Sequence, residues 1–400
     1  MIPDLIATYG TPLWIYDAPT IRQRIADLAP FDIIRYAQKA CSNTHILGLM
    51  HACGVKVDAV SKGEIIRAIH AGYTPADIVF TADLMDRETL DFVIANGITV
   101  NAGSIDMLHQ LGAQNPGHPV WLRINPGFGH GHSTKTNTGG ETSKHGIWHH
   151  DAPAALAAIA HFGLRLKGVH MHIGSGVDYD HLAQVCDAMV DFIVRYAIDV
   201  PAISAGGGLS VPYQAHETPV DITHYHTLWD TARRKLAAHL GHDVKLEIEP
   251  GRYLVAEAGT LWAEVRAVKD MGSLHYILAD AGFTELVRPA MYGSYHDITV
   301  HAPDGRQKSA PTYPAVVAGP LCESGDVFTQ AAGGEMLTRP LPRADIGDYI
   351  VFKTAGAYGA SMSSNYNSRP YCAEILVDGD TARLIRRRQT MDELLALESV

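Results

Sequence analysis

The chain of 400 residues lacks the usual marks of a membrane, metal or nucleic-acid protein. No apolar run reaches the ~18 residues that span a bilayer. The opening MIPDLIATYGTPLWIYD has no basic start followed by a long apolar stretch, so no secretory signal is expected. Five cysteines, at positions 41, 53, 186, 322 and 372, are odd in number and form no CxxC pair. That excludes a structural zinc motif and suits reduced thiols in a cytoplasm. Basic residues are in the minority, 32 against 43 acidic ones, giving a net charge of −11. Nucleic acid and anionic membrane are therefore poor partners. The one basic run, Arg386-Arg387-Arg388, reads as a solvated strand end. What remains is a chain 46% apolar and 19% charged, the balance of a packed globular protein.

Between residues 33 and 251 eight short β-type runs recur: IIRYAQK, VKVDAVS, DIVFTA, ITVNAG, VWLRINP, LKGVHMHIGS, AISAGGG and VKLEIEPG. Segments such as KGEIIRAIHAG and DAPAALAAIAHFG lie between them, with apolar residues at helical spacing and glycine at the stop. Eight strand–helix units in about 220 residues predict a (β/α)8 barrel, which typically takes ~250; an open doubly wound sheet is the rival. After about residue 257 the pattern turns to strands separated by Gly, Pro and Asp, with a hairpin at Asp378-Gly379. The expected organisation is a barrel over residues 19–257 and an all-β domain over 258–400. Residues 1–18 are expected to lend that domain a strand.

Side chains two apart share one face of a strand. In VHMHIGS, His170 and His172 oppose Val169, Met171 and Ile173. In KLEIEPG, Glu247 and Glu249 alternate with Leu246 and Ile248, and in WLRIN, Arg123 and Asn125 oppose Leu122 and Ile124. The apolar face packs on helices, so polar groups are expected inside the barrel near strand C-terminal ends, where barrel enzymes place their sites. Mutual satisfaction explains any one strand, but not most of them together.

Lys39 is placed at the end of the first strand, where a buried ammonium needs either a carboxylate partner or a function such as a Schiff base with an aldehyde. Gly206, Gly207 and Gly208 end another strand and would let backbone N–H groups approach a phosphate, although a tight turn explains them equally. Glu249, followed by Gly251 and Arg252, offers a carboxylate to a pyridine nitrogen. Taken together, the three describe pyridoxal 5′-phosphate.

The motifs YAQKACSN, HMHIGS, GGGLS, EPGR, CESGD and GAYGASMSSNYNSRP closely resemble, in order, those of the fold-type III pyridoxal-phosphate decarboxylases. Within these, the sequence is similar to the diaminopimelate decarboxylases of the enterobacterial kind. The resemblance implies an alanine-racemase-like (β/α)8 barrel with a C-terminal β domain, working as a homodimer with shared active sites. It implies that Lys39 carries the cofactor and His172 stacks on its ring. Ser175 and the glycine run then hold the phosphate with Gly251 and Arg252, Glu249 meets the ring nitrogen, and Tyr358 touches the cofactor. Asp58 falls near the reacting centre. Cys322, on a turn beside Glu323, becomes the proton donor reaching the other subunit's cofactor.

By the same resemblance Arg252, Arg288 and Tyr292 take a distal carboxylate and Glu323 a distal amine, which fits meso-2,6-diaminopimelate giving L-lysine and CO2. Rival substrates are D-ornithine, D-lysine or a diaminopimelate conjugate of siderophore assembly. In isolation Arg288 would read as a surface ion pair. A racemase would place a tyrosine rather than Cys322 opposite the lysine, and a non-catalytic relative would lose Lys39, Glu249 or Cys322. After NSRP the chain departs from the family, reading Tyr371-Cys372-Ala373, and Cys372 is expected to be an inert packed thiol. His130 and His132, in NPGFGHGHSTKTNTGG, have no accompanying carboxylates or cysteines. A glycine-rich lid is expected there, and no metal.

Overall fold

The computed structural model describes residues 1–129, 138–172, 174 and 178–399. His130, His132 and Ser175 therefore lie outside the described residues, as do residues 130–137 of the stretch expected to form a lid.

The chain divides into two compact units. One comprises residues 22–210 and 219–254, the other residues 1–21, 211–218 and 255–400. In the first unit eight parallel strands close on themselves: Ile33–Ala37, Lys56–Ala59, Ile78–Ala82, Thr99–Ala102, Pro119–Asn125, Arg165–His170, Ala202–Ser204 and Lys245–Ile248. Each pairs with the next in sequence, and the eighth pairs with the first, Glu247 opposite Ile33. Closure excludes the open doubly wound sheet. The apolar strand residues Val57, Val100, Leu122, Val169, Leu246 and Ile248 are fully or almost fully buried.

The connecting helices start and stop as their sequences dictate. Lys62–His70 begins at Ser61, whose hydroxyl accepts the Glu64 N–H at 3.1 Å, and Arg87–Asn96 begins at Asp86, whose carboxylate accepts the Thr89 N–H at 2.7 Å. Ala152–Phe162 stops at Gly163, which adopts the left-handed conformation at φ 62°. No helix among the described residues is long and apolar enough to cross a membrane.

The second unit is built on a nine-stranded sheet. Leu13–Asp17 lies in its interior, antiparallel to Gly259–Met271 and parallel to Ala373–Asp378. Leu13, Trp14 and Tyr16 are wholly buried there. At ~1.5–3 kcal/mol per large apolar side chain, this strand is a main anchor of the unit. The hairpin Ala373–Asp378 with Thr381–Arg386 turns through Gly379 at φ 61°. The unit is not made of strands alone, since Ile2–Tyr9, Arg288–Tyr292 and Met391–Leu395 are short helices.

The basic run is a correction at two of its three positions, Arg387 being exposed as expected. Arg386 is not a solvated end, because its Nη1 pairs with the buried carboxylate of Glu374 at 2.6 Å. Arg388 Nη2 donates to the carbonyls of Tyr9 and Pro12 at 3.3 and 2.8 Å. Buried acceptors hold these cations in place.

Candidate active site

Every barrel strand buries at least one polar side chain: Arg35, Asp58, Thr81, Asn101, Arg123 with Asn125, His170, Ser204 and Glu247, in strand order. Buried polar groups are tolerated only when paired, and most here are. Arg35 grips Glu247 with Nη2 and Nε at 2.8 and 3.1 Å and donates Nη1 to the Asp77 carbonyl. Removing one partner of such a pair typically costs ~3–5 kcal/mol, so Arg35 and Glu247 fix the join between the first and last strands.

Glu249 follows the eighth strand and is buried. His170 Nε2–H donates to its Oε2 at 2.9 Å and the Ser204 hydroxyl donates to its Oε1 at 2.8 Å. Burial alone would raise this carboxyl, but His170, Ser204 and the nearby Arg35 charge carry it down to about 2. Ser204 Oγ also accepts the Gly206 N–H at 3.1 Å, while Gly206 accepts the Glu249 N–H at 2.8 Å. The carboxylate and the glycine run are thus one hydrogen-bonded unit.

Those glycines are required by space. A Cβ on Gly206 would sit 2.6 Å from the Met171 carbonyl, on Gly207 2.6 Å from the Glu249 carbonyl, and on Gly208 2.4 Å from the Gly174 carbonyl. Against this turn lies His172, held well below the ordinary histidine range by burial and by the charges of Arg123 and Lys39; its ring is neutral. Asp58 is pushed the other way, up to about 6, by burial and by the negative charge of Glu249, against the pull of Lys39. Burial likewise carries Glu64 to about 7. Among the described residues, the buried atoms Asp58 Oδ1, Asn101 Oδ1, His170 Nδ1 and His172 Nδ1 of the barrel have no hydrogen-bond partner.

Lys39 departs from expectation. The first strand ends at Ala37, and Lys39 lies in a short 3-10 turn, Gln38–Ala40, with its side chain exposed rather than buried. Its exposure removes the desolvation argument and leaves an accessible amine whose charge is felt by Asp58, Glu64 and His172. Gly251 is buried, and Arg252 opens the short helix Arg252–Val255, half-buried.

The other expected residues belong to the sheet unit. Arg288 is buried rather than a surface ion pair; its Nη1 donates to Tyr213 Oη at 3.1 Å and to His296 Nε2 at 3.0 Å. Tyr292 and Tyr358 are half-buried, and Tyr358 adopts φ 57°. Cys322 and Glu323 are exposed. Asp326 folds their turn by accepting the Phe283 and Leu321 N–H groups, each at 2.8 Å, and Asn367 accepts the Cys322 N–H at 3.0 Å. Cys372 is buried, with its thiol pushed far up by burial, as befits an inert packed group.

Sequence reasoning missed several of these supports. Asn125 clamps a loop by accepting the Gly127 and Gly140 N–H groups and donating to the Gly140 and His145 carbonyls. Asp83 adds His145 Nδ1 at 2.5 Å and the Gly146 N–H at 3.0 Å. Alternation flagged Asn125 as inward-facing and Asp326 lay within the CESGD motif without a role of its own, but nothing local marked Asp83, Tyr213 or His296.

The family model for the pyridoxal binding domain of pyridoxal-dependent decarboxylases matches residues 21–256. Over 98% of its length the chain is 64% identical to diaminopimelate decarboxylase of Escherichia coli strain K12, covering 95% of that protein. It is 61% identical to the enzyme of that name from Streptomyces coelicolor, covering 98% of this chain and 90% of that one. The chain belongs to the diaminopimelate decarboxylases. A solved diaminopimelate decarboxylase superposes with a TM-score of 0.97 at 63% identity, over 99% of this chain and 96% of that one. The Helicobacter pylori member complexed with L-lysine superposes at 0.89 and 29% identity, over 100% and 99%.

The barrel fits the pyridoxal phosphate of this family. It offers an accessible lysine amine, a buried ionised carboxylate and a neutral imidazole. Beside them lie a glycine turn that admits no side chain and buried polar atoms awaiting partners.

Proposed function

We propose that this chain decarboxylates meso-2,6-diaminopimelate to L-lysine and CO2, the last step of lysine biosynthesis. Within the barrel, the Glu249 carboxylate, held ionised by His170 and Ser204 beside the glycine run, carries the reading.

Lys39 would hold the aldehyde of pyridoxal phosphate through its amine. His172 would lie against the ring, and Gly206, Gly207, Gly208, Ser175, Gly251 and Arg252 would hold the phosphate side, with Tyr358 touching the cofactor. When bound, the cofactor supplies an electron sink for the pair left on carbon as CO2 departs. Glu249, fixed as an anion, favours a proton on the ring nitrogen it meets. Neutral His172 adds no charge beside that proton. Asp58, with its carboxyl raised toward neutrality, exchanges a proton near Lys39 more readily than an ordinary aspartate.

In this reading Arg252, Arg288 and Tyr292 take the distal carboxylate and Glu323 takes the distal ammonium. Two guanidiniums and a phenol suit an amino-acid end, and a plain diamino acid would leave those cations without their anion. Breaking the bond to CO2 leaves an electron pair on the α-carbon, and Cys322 donates its thiol proton there. The protein works as a homodimer in which Cys322 and Glu323 serve the partner subunit's site. Their exposure on the single chain supports that role.

Turnover by the purified holoenzyme on diaminopimelate, D-ornithine, D-lysine and diaminopimelate conjugates tests the substrate. Diaminopimelate should exceed the plain diamino acids in kcat/KM by at least ~100-fold, the discrimination expected when a buried charged group is left unpaired. Arg288→Ala should abolish that preference while leaving cofactor content unchanged. Equal use of D-lysine, or an unchanged KM in the variant, overturns the assignment.

A further inference from the structure

The guanidinium of Arg288 is held along one edge by a chain of bonds whose polarity has a single solution. A carbonyl only accepts, so the 3.0 Å contact between His296 Nδ1 and the Lys353 oxygen requires a proton on Nδ1. A guanidinium only donates, so the 3.0 Å contact from Arg288 Nη1 requires a bare lone pair on His296 Nε2. His296 is therefore one neutral tautomer, fixed by the backbone. The sheet sets that backbone: Ile298–His301 pairs antiparallel with Tyr349–Phe352, and the Lys353 N–H closes on the Asp297 carbonyl at 2.9 Å. Arg339 adds a bond from its guanidinium to the His296 carbonyl. His296 is 2% exposed, so this geometry does not compete with water.

Tyr213 holds the other hydrogen of the same nitrogen. Its hydroxyl accepts from Arg288 Nη1 at 3.1 Å, its ring lies 5.0 Å beneath the guanidinium carbon, and it meets His296 edge-on at 5.5 Å. Both Nη1 hydrogens are thus committed to the protein. A carboxylate takes an arginine as a fork, through two parallel N–H groups. With Nη1 held, the fork is confined to the Nε–Nη2 edge.

We propose that His296 and Tyr213 are positioning residues for substrate selection: they fix which edge of Arg288 meets the distal carboxylate, and so set the preference for a substrate ending in an amino acid. The inference rests on the reading of Arg288 given above. His296 touches neither the substrate nor the cofactor in this scheme and acts through the arginine.

The test uses the holoenzyme and measures binding of L-lysine, which keeps an amino-acid end, and of 1,5-diaminopentane, which lacks the carboxylate. Calorimetry gives both affinities, and steady-state kinetics with diaminopimelate supplies KM and kcat. His296→Phe removes the acceptor and should weaken L-lysine and raise KM about 10- to 100-fold, the range for losing a hydrogen bond to a charged group. Its kcat should stay within about 3-fold, and diaminopentane should bind as before. His296→Gln, which restores an acceptor near the Nε2 position, should recover most of the loss. Tyr213→Phe deletes only the hydroxyl and should cost L-lysine about 3- to 10-fold. Unchanged L-lysine affinity in both His296→Phe and Tyr213→Phe overturns the proposal, as does a loss shared equally by diaminopentane. If His296→Phe does not fold, Tyr213→Phe and His296→Gln decide the matter by the same two ligands. Arg288→Ala separates the two levels. If it leaves L-lysine affinity intact, the distal-carboxylate reading itself falls. If it weakens L-lysine while the His296 and Tyr213 variants do not, only the positioning role falls.

Discussion

Glu249 and Asp58 occupy one barrel, yet their surroundings drive them in opposite directions. Glu249 has two donors and a nearby guanidinium, so its carboxyl falls from the ordinary 4.5 to about 2. Asp58 has a buried oxygen without a partner and the Glu249 charge nearby, so its carboxyl rises from 3.8 to about 6. Linkage gives each an opposite signature. The stability that Glu249 contributes is present above 4.5 and is lost as pH falls from there toward 2. The urea midpoint of wild type should therefore exceed that of Glu249→Gln at neutral pH, with the gap narrowing as pH falls below 4.5. For Asp58 the favourable state is the protonated one. Its contribution is complete below 3.8 and lost as pH rises through about 6, so Asp58→Asn should gain on wild type across that window. A gap that moves with pH in the reverse sense in either variant would remove the electrostatic account. Alternation along strands exposed Glu249, His170 and His172 to a reader of the sequence, because their role depends on which way a strand residue points. His296 was invisible, because what defines it is a carbonyl tens of residues away.

Among the elements, the glycine run is the most constrained. Gly207 has an ordinary backbone conformation, so Gly207→Ala tests space alone. Its new Cβ would press on the Glu249 carbonyl, itself part of a wholly buried turn. Overpacking of this kind costs ~1–3 kcal/mol. The variant should melt several degrees lower and retain less of the cofactor's visible absorption at a given pyridoxal phosphate concentration. Normal retention with normal melting would show that the turn gives way easily. All eight barrel strands were readable, since each is a short apolar run bounded by a helix stop. Two strands of the other unit were not. Ile298–His301 is only four residues long, and Arg339–Pro342 carries prolines at two of its four positions. It is tolerated because it pairs on one side only, with Thr312–Ala318, as an edge strand. Lys39 was misread for a related reason. The pattern ran on past Ala37, but the chain leaves the sheet there and the lysine sits in a 3-10 turn, with its side chain exposed.

For the whole molecule, the decisive question is whether a site draws residues from two chains. Lys39→Ala cannot hold the cofactor in the proposed way, and Cys322→Ala should bind both cofactor and substrate yet lose ~10²–10⁴-fold in turnover, the worth of a positioned general acid. If Cys322 serves the partner subunit, a mixed dimer of the two variants gathers both defects in one site and leaves the other intact. Random reassembly should then restore up to about a quarter of wild-type activity, given half the dimers mixed and one good site in each, which is the closed two-fold arithmetic of a symmetric pair. Mixed dimers seen by native mass spectrometry without any return of activity would place the thiol within its own subunit or remove it as donor. The path of the chain carries a consequence for biosynthesis as well. Leu13–Asp17 leaves the ribosome well before one of its two neighbours, Ala373–Asp378, which follows it far along the chain. At roughly 5–20 residues per second it waits about 20–70 s for that neighbour, with Trp14 and an apolar edge exposed. A nascent chain stalled anywhere before residue 373 carries that edge unpaired. Such a chain offers a template for unwanted strand pairing and a signal by which a chaperone recognises incomplete synthesis.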